Sequence, residues 1–168
     1  METEVAVAWG RPESALDVAC ALSASRAFSV ERRLEIQLFD AATVFSSDQL
    51  RSAAAHALRA KERGTMRTGS LAVEMLLYAS GRRQIKEAMA VMGLTARTER
   101  VAAVLLGPGA AASAPHLLKA LGLAPLSEKE GSGGASALER LGVSAKGATP
   151  EQMADLALEQ VALLDIEK

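Results

Sequence analysis

Between residues 46 and 93 the chain carries three helical stretches in a row, and an apolar strand-like run closes each side of them. The first, "SSDQLRSAAAHALRAKERG" (46–64), puts Leu50, Ala53, Ala54, Ala57 and Leu58 on one stripe, with capping-box spacing from Ser46 to Gln49 and Gly64 placed to end it. The second, "SLAVEMLLYAS" (70–80), is apolar nearly all round, as a buried helix is, and Gly81 punctuates it. The third, "RRQIKEAMAVMG" (82–93), has an apolar face of Ile85, Ala88, Met89 and Met92 and stops at Gly93, with Ser80 read as its cap. The flanking runs are "LEIQLF" (34–39), which alternates apolar and polar as a half-buried strand does, and "ERVAAVLLG" (99–107), apolar throughout as a buried strand. Three uninterrupted helices between two strands break any regular alternation of strand and helix.

The remaining segments complete that pattern. "EVAVAW" (4–9) reads as a strand and "PESALDVACALSA" (12–24) as a helix with Pro12 in its first turn. "PHLLKALGL" (115–123) is a short helix and "EKEGSGGAS" (128–136) a loop. "TPEQMADLALEQVALLDIEK" (149–168) is a final helix, with Thr149 as cap, Pro150 in the first position and Gln152 completing a capping box. The order predicts an α+β fold: a small, mainly antiparallel or mixed sheet packed with several helices, in a single domain over 1–168.

Composition narrows the function. Aromatic residues make up 3% of the 168, too few for a base-stacking platform, and the net charge is −1, so any nucleic-acid footprint is a local basic patch on a neutral body. The single cysteine, Cys20, sits in an Ala/Leu-rich run and is expected to behave as a small buried hydrophobe in a reducing compartment. No run of apolar residues is long enough to span a membrane, and the start has no basic region of the secretory kind.

Chemistry-bearing motifs are sparse. "GPGA" (107–110) follows a strand, but it lacks the glycine and lysine spacing of phosphate loops, and a turn with Pro at its second position accounts for it. His56 and His116 lie sixty positions apart without a matching ligand set, so no metal site is expected. No nucleophile stands beside a base, and no catalytic residue or cofactor site is assigned. The basic residues are more informative. Arg59, Lys61 and Arg63 close the first of the three helices, Arg67 lies in the connector, and Arg82, Arg83 and Lys86 open the third, sharing an arc of roughly 100° away from its apolar face. A helix start favours negative charge, so an Arg-Arg-Gln opening points outward, toward something beyond the chain. Antiparallel packing would separate the two basic groups by one helix length. The last helix is also unusual: Met153, Leu156, Ala157, Val161 and Leu164 form a core face, and Leu158, Leu163 and Ile166 add apolar surface around its sides.

The run "RAKERGTMRTGSLAVEMLLYASGRRQIKEAMAVMGL" (59–94) resembles the signature region of the kinase-binding subunit of the KEOPS complex, the PRPK-binding protein family of eukaryotes. The matching elements are Glu62-Arg63-Gly64, Leu71 through Gly81, Arg83-Gln84-Ile85, Ala88 and Gly93-Leu94. Thr65-Met66 departs from archaeal members, which often carry Asn soon after the glycine. The resemblance implies a non-catalytic, cytoplasmic subunit without cofactor or metal. Its partners would be the complex's atypical kinase, an ATPase, and the 3′ CCA end of tRNA. The assembly installs threonylcarbamoyl on the adenosine next to the anticodon in tRNAs that read A-starting codons. On this view Arg59, Lys61, Arg63, Arg67, Arg82, Arg83 and Lys86 contact RNA, and Leu158, Val161, Leu163 and Ile166 dock the kinase. Two rival readings stand beside it: a small-molecule enzyme using the 107–110 turn, and a purely structural partner.

Overall fold

The computed structural model describes residues 3–166. Its strands are β1 (Val5–Pro12), β2 (Glu35–Asp40), β3 (Val101–Leu106) and β4 (Leu123–Leu126), in the spatial order β2-β3-β1-β4. Every pairing is antiparallel. The helices are α1 (Val18–Arg32), α2 (Ser47–Arg63), α3 (Leu71–Ser80), α4 (Ile85–Met92), α5 (Ala110–Ala120), α6 (Glu128–Gly131), α7 (Ala135–Arg140) and α8 (Pro150–Ile166). The fold is α+β, as the order of elements predicts.

Alternation along the strands sorts the helices into two layers. Ala6, Ala8, Ile36, Leu38, Val101, Ala103 and Leu105 point to the layer of α1 and α5. Trp9, Phe39, Ala102, Val104 and Leu106 point to the layer of α2, α3, α4 and α8. β3 is buried at all six positions, which explains its unbroken apolar sequence. Each full burial of a Leu or Phe here contributes roughly 1.5–3 kcal/mol. β1 and β2 flank β3 and are joined by α1, while β3 and β4 flank β1 and are joined by α5. Two split β-α-β units thus interlock, both with their crossover helix on the same face.

Several sequence expectations need correction. β1 runs on through Pro12, because β4 pairs with its second half: Gly10 with Pro125, Arg11 with Ala124 and Pro12 with Leu123. A Cβ on Gly10 would sit 2.8 Å from that of Leu123, so the close approach requires glycine. The helix expected over 12–24 starts instead at Val18, where Asp17 caps it by accepting from the Cys20 amide, and it continues to Arg32. That phase turns Ala21, Ser25 and Phe28 inward and leaves Cys20 exposed rather than buried. The Asp17 carboxylate beside it holds the thiol above its ordinary pKa. Residues 128–136 are not all loop: Ser127 and Glu130 form a capping box that starts α6, and α7 begins at Ala135. The final helix begins as expected, with Thr149 and Gln152 exchanging bonds; its last two predicted residues lie outside the described residues.

The "GPGA" segment is a turn into α5. The Glu4 carboxylate accepts from the Gly109 amide at 3.1 Å and the Ala111 amide at 2.9 Å. The anion that a helix start attracts is therefore supplied by the chain itself, and a phosphate cradle there has no support.

Candidate functional site

The sequence-predicted cations fall on the two ends of α3. Gly64, left-handed at φ 68°, stops α2, and Arg59, Lys61 and Arg63 stand exposed on its last turns, where the helix dipole favours positive charge. Arg67 is exposed in the connector that follows. This connector is held from beneath by Glu74, whose residue surface is fully buried. The Glu74 carboxylate accepts from the Arg67 amide at 3.0 and 3.2 Å, the Thr68 amide at 3.1 Å and the Thr68 hydroxyl at 3.0 Å. Sequence reasoning gave Glu74 no part in the site. The available signal was a lone carboxylate in an otherwise apolar helix, which must find donors to be buried. The Arg67 guanidinium donates to the Leu164 carbonyl of α8 at 3.5 Å.

The exit of α3 is built differently. Gly81, also left-handed at φ 68°, ends the helix. The Ser80 hydroxyl donates to the Leu77 carbonyl and accepts from the Arg82 amide, so it closes a turn rather than capping the next helix. The helix expected from 82 begins only at Ile85, and its cap residue Gln84 makes no side-chain bond to it. Arg82 and Arg83 thus precede α4, Lys86 lies in its first turn, and the three do not share a helical arc. Arg82 is half-buried and donates through Nη2 to the Leu141 carbonyl at 3.3 Å, whereas Arg83 and Lys86 are exposed. α3 has ten residues, about 15 Å of helix, so the two basic groups stand that far apart.

The apolar candidates also divide. Val161 is 0% exposed and packs in the core with Leu164, which removes it from any docking surface. Leu163 is half-buried, while Leu158 and Ile166 are 38% and 77% exposed. On α4, Ala88 and Met92 are buried as expected, but Ile85 and Met89 stand exposed one turn apart, because the helix turns only its narrower edge to the core.

α8 is fastened across the α2–α3 pair by a polar cluster. The Tyr78 hydroxyl donates to Asp165 Oδ1 at 2.5 Å, His56 Nδ1 pairs with Asp165 Oδ2, and the His56 and Tyr78 rings stack at 5.3 Å. Burial first, then the hydrogen bond to Asp165, raises the Tyr78 pKa well above its ordinary value. His56 therefore serves packing and hydrogen bonding between helices.

Among the described residues no helix is long and apolar enough to cross a membrane, and no group of three or more His, Cys, Asp or Glu is placed to hold a metal. A family model described as kinase binding protein CGI-121 matches residues 18–131, a span that holds α1 through α6 and both basic groups. No curated protein matches the chain.

Proposed function

The chain belongs to the CGI-121 family of kinase-binding proteins, and on that premise we propose that it is a non-catalytic subunit joining the atypical kinase of the KEOPS complex to tRNA. It would thereby support threonylcarbamoyl modification of the adenosine next to the anticodon. The observation that carries the RNA half is the exposure of Arg59, Lys61, Arg63, Arg67, Arg83 and Lys86 at the two ends of one buried helix, on a chain of net charge −1. Charge so placed is a local footprint for phosphates, and guanidinium planes supply the stacking that the scarce aromatics cannot. Exposed Ile85 and Met89 add apolar surface beside Arg83 and Lys86. For the kinase, Leu158, Leu163 and Ile166 offer the outer side of α8.

Filter binding of tRNA with and without its CCA end tests the first half. Trimmed tRNA is expected to bind more weakly, and Arg83→Ala to lower affinity and cut the salt slope by about 0.7, one phosphate contact on a single strand. Equal binding of trimmed and intact tRNA would leave a structural partner protein as the better reading. For the second half, Leu158→Glu and Ile166→Glu should abolish kinase co-purification while melting like the wild type. Retained kinase binding would remove α8 from the interface.

A further inference from the structure

The basic surface does not stop at α4. A cleft of about 650 Å³ opens where the last turn of that helix meets the 93–100 loop and the end of α7. Its lining includes Ala90, Val91 and Gly93 together with Arg97, Arg100 and Arg140. Arg140 immediately precedes Leu141, whose carbonyl receives the Arg82 guanidinium. The cleft therefore begins where the sequence-predicted basic set leaves off.

We propose that this cleft is a phosphate-binding site for the backbone of single-stranded RNA, extending the path that starts at Arg83 and Lys86; the inference rests on the RNA reading above. Arg97 and Arg140 are exposed, and among the described residues neither guanidinium makes a hydrogen bond or an ion pair. Arg100 is different. Its Nη1 donates to the carbonyls of Glu130 and Ser132, each at 3.1 Å, which uses both of that nitrogen's hydrogens and fixes the plane of the group. Nε and Nη2 keep their donors, and among the described residues no buried side-chain nitrogen lacks a partner, so those donors face solvent. A guanidinium clamped on one side and open on the other presents a planar fork without further loss of side-chain entropy, the arrangement that suits phosphate oxygens.

Two carboxylates also face the cleft. Asp40 is already engaged: Oδ1 accepts from the Ala42 amide at 3.1 Å and Oδ2 from the Thr98 hydroxyl at 3.3 Å. Glu99 is exposed and opposes an anion, but three guanidiniums outnumber the two acids. The small side chains of Ala90 and Val91 leave room beside the cations for a sugar. An extended chain laid along α4, eight residues or about 12 Å long, would reach from Lys86 to the cleft in two or three nucleotides.

The test is a salt series of fluorescence anisotropy on the whole chain with a labelled single-stranded RNA ending in CCA. Arg97→Ala and Arg140→Ala are each expected to weaken binding several-fold and to lower the salt slope by about 0.7, with Arg→Lys at either position keeping the slope. Excess AMP and excess polyglutamate should leave the RNA bound. If Arg83→Ala lowers affinity and slope while both cleft variants match the wild type, the cleft is excluded and the RNA reading stands. If none of the three variants changes the slope, or the wild type binds no RNA, both fall. Displacement of the RNA by AMP would show a free-nucleotide site, and displacement by polyglutamate an acidic-peptide site; either result overturns the proposal.

Discussion

The two ends of α3 carry similar charge on opposite kinds of backbone. At its start, a buried carboxylate satisfies two amides and a hydroxyl of the connector, and Ser70 caps the helix by accepting from the Val73 amide. At its exit, one glycine and one serine turn the chain, and α4 then begins without a side-chain cap. The start is built in advance; the exit gives α4 no side-chain cap from Gln84, next to Arg83 and Lys86. The contrast teaches how a neutral chain assigns its cations. A clamped loop fixes where a charge stands, while an uncapped helix start can still adapt to the anion it meets.

The strongest way to break this contrast is to remove the clamp. Glu74→Ala leaves the Arg67 and Thr68 amides without their acceptor beneath the connector, and is expected to destabilise the fold by about 3 kcal/mol in urea unfolding. A loss under about 0.5 kcal/mol would show that the connector holds itself. The next test asks whether α8 ties the two ends together, since its Leu164 carbonyl meets Arg67 and its Gln160 abuts Gly81. Tyr78→Phe deletes the hydroxyl that reaches Asp165 and should cost about 1.5 kcal/mol. It should also change the alkaline limb. A raised Tyr78 pKa means that the folded state holds the proton more tightly, so above about pH 10 the unfolded state releases it first and wild-type stability falls with rising pH. The phenylalanine variant should lack that fall, and an unchanged alkaline slope would remove Tyr78 as its source. The smallest effect is expected at the exit. Gln84→Ser offers α4 the missing cap and should raise thermal stability by an amount worth about 1 kcal/mol, while weakening RNA binding if open amides matter there. A stabilised variant with unchanged RNA affinity would show that adaptability at this end is not used.

Where periodicity and caps agree, the sequence was sufficient to place the element. α2 and α8 carry cap residues at the right spacing, α3 is punctuated by Gly81 and β3 is apolar at every position, so their existence was legible, although β3 starts at Val101 and not at 99. β4 was not, because Pro125 argues against a strand and is tolerated only since β4 lies at the sheet edge. The same missing strand hid the second half of β1 and pushed the expected start of α1 six residues early, onto Pro12. In the candidate site, the exposed cations of 59–94 were legible from the motif. Arg97, Arg100 and Arg140 were not: they are scattered over more than forty positions, and only the packing of α4, the 93–100 loop and α7 brings them to one cleft. The burial of Val161 shows the converse. Its place on the helix was correctly read as inward, so it cannot also be a contact for another protein.

The family match closes at residue 131, yet Val161 and Leu164 of the last helix fill the interior against α2 and α3, and Ala157 is buried with Leu138 of α7. Deletion mapping would therefore mislead. A chain cut before residue 150 would expose the apolar seam it had covered, and the lost partner binding would record collapse of the scaffold rather than absence of a contact. Single substitutions at outward positions of that helix are the instrument that can tell those two outcomes apart.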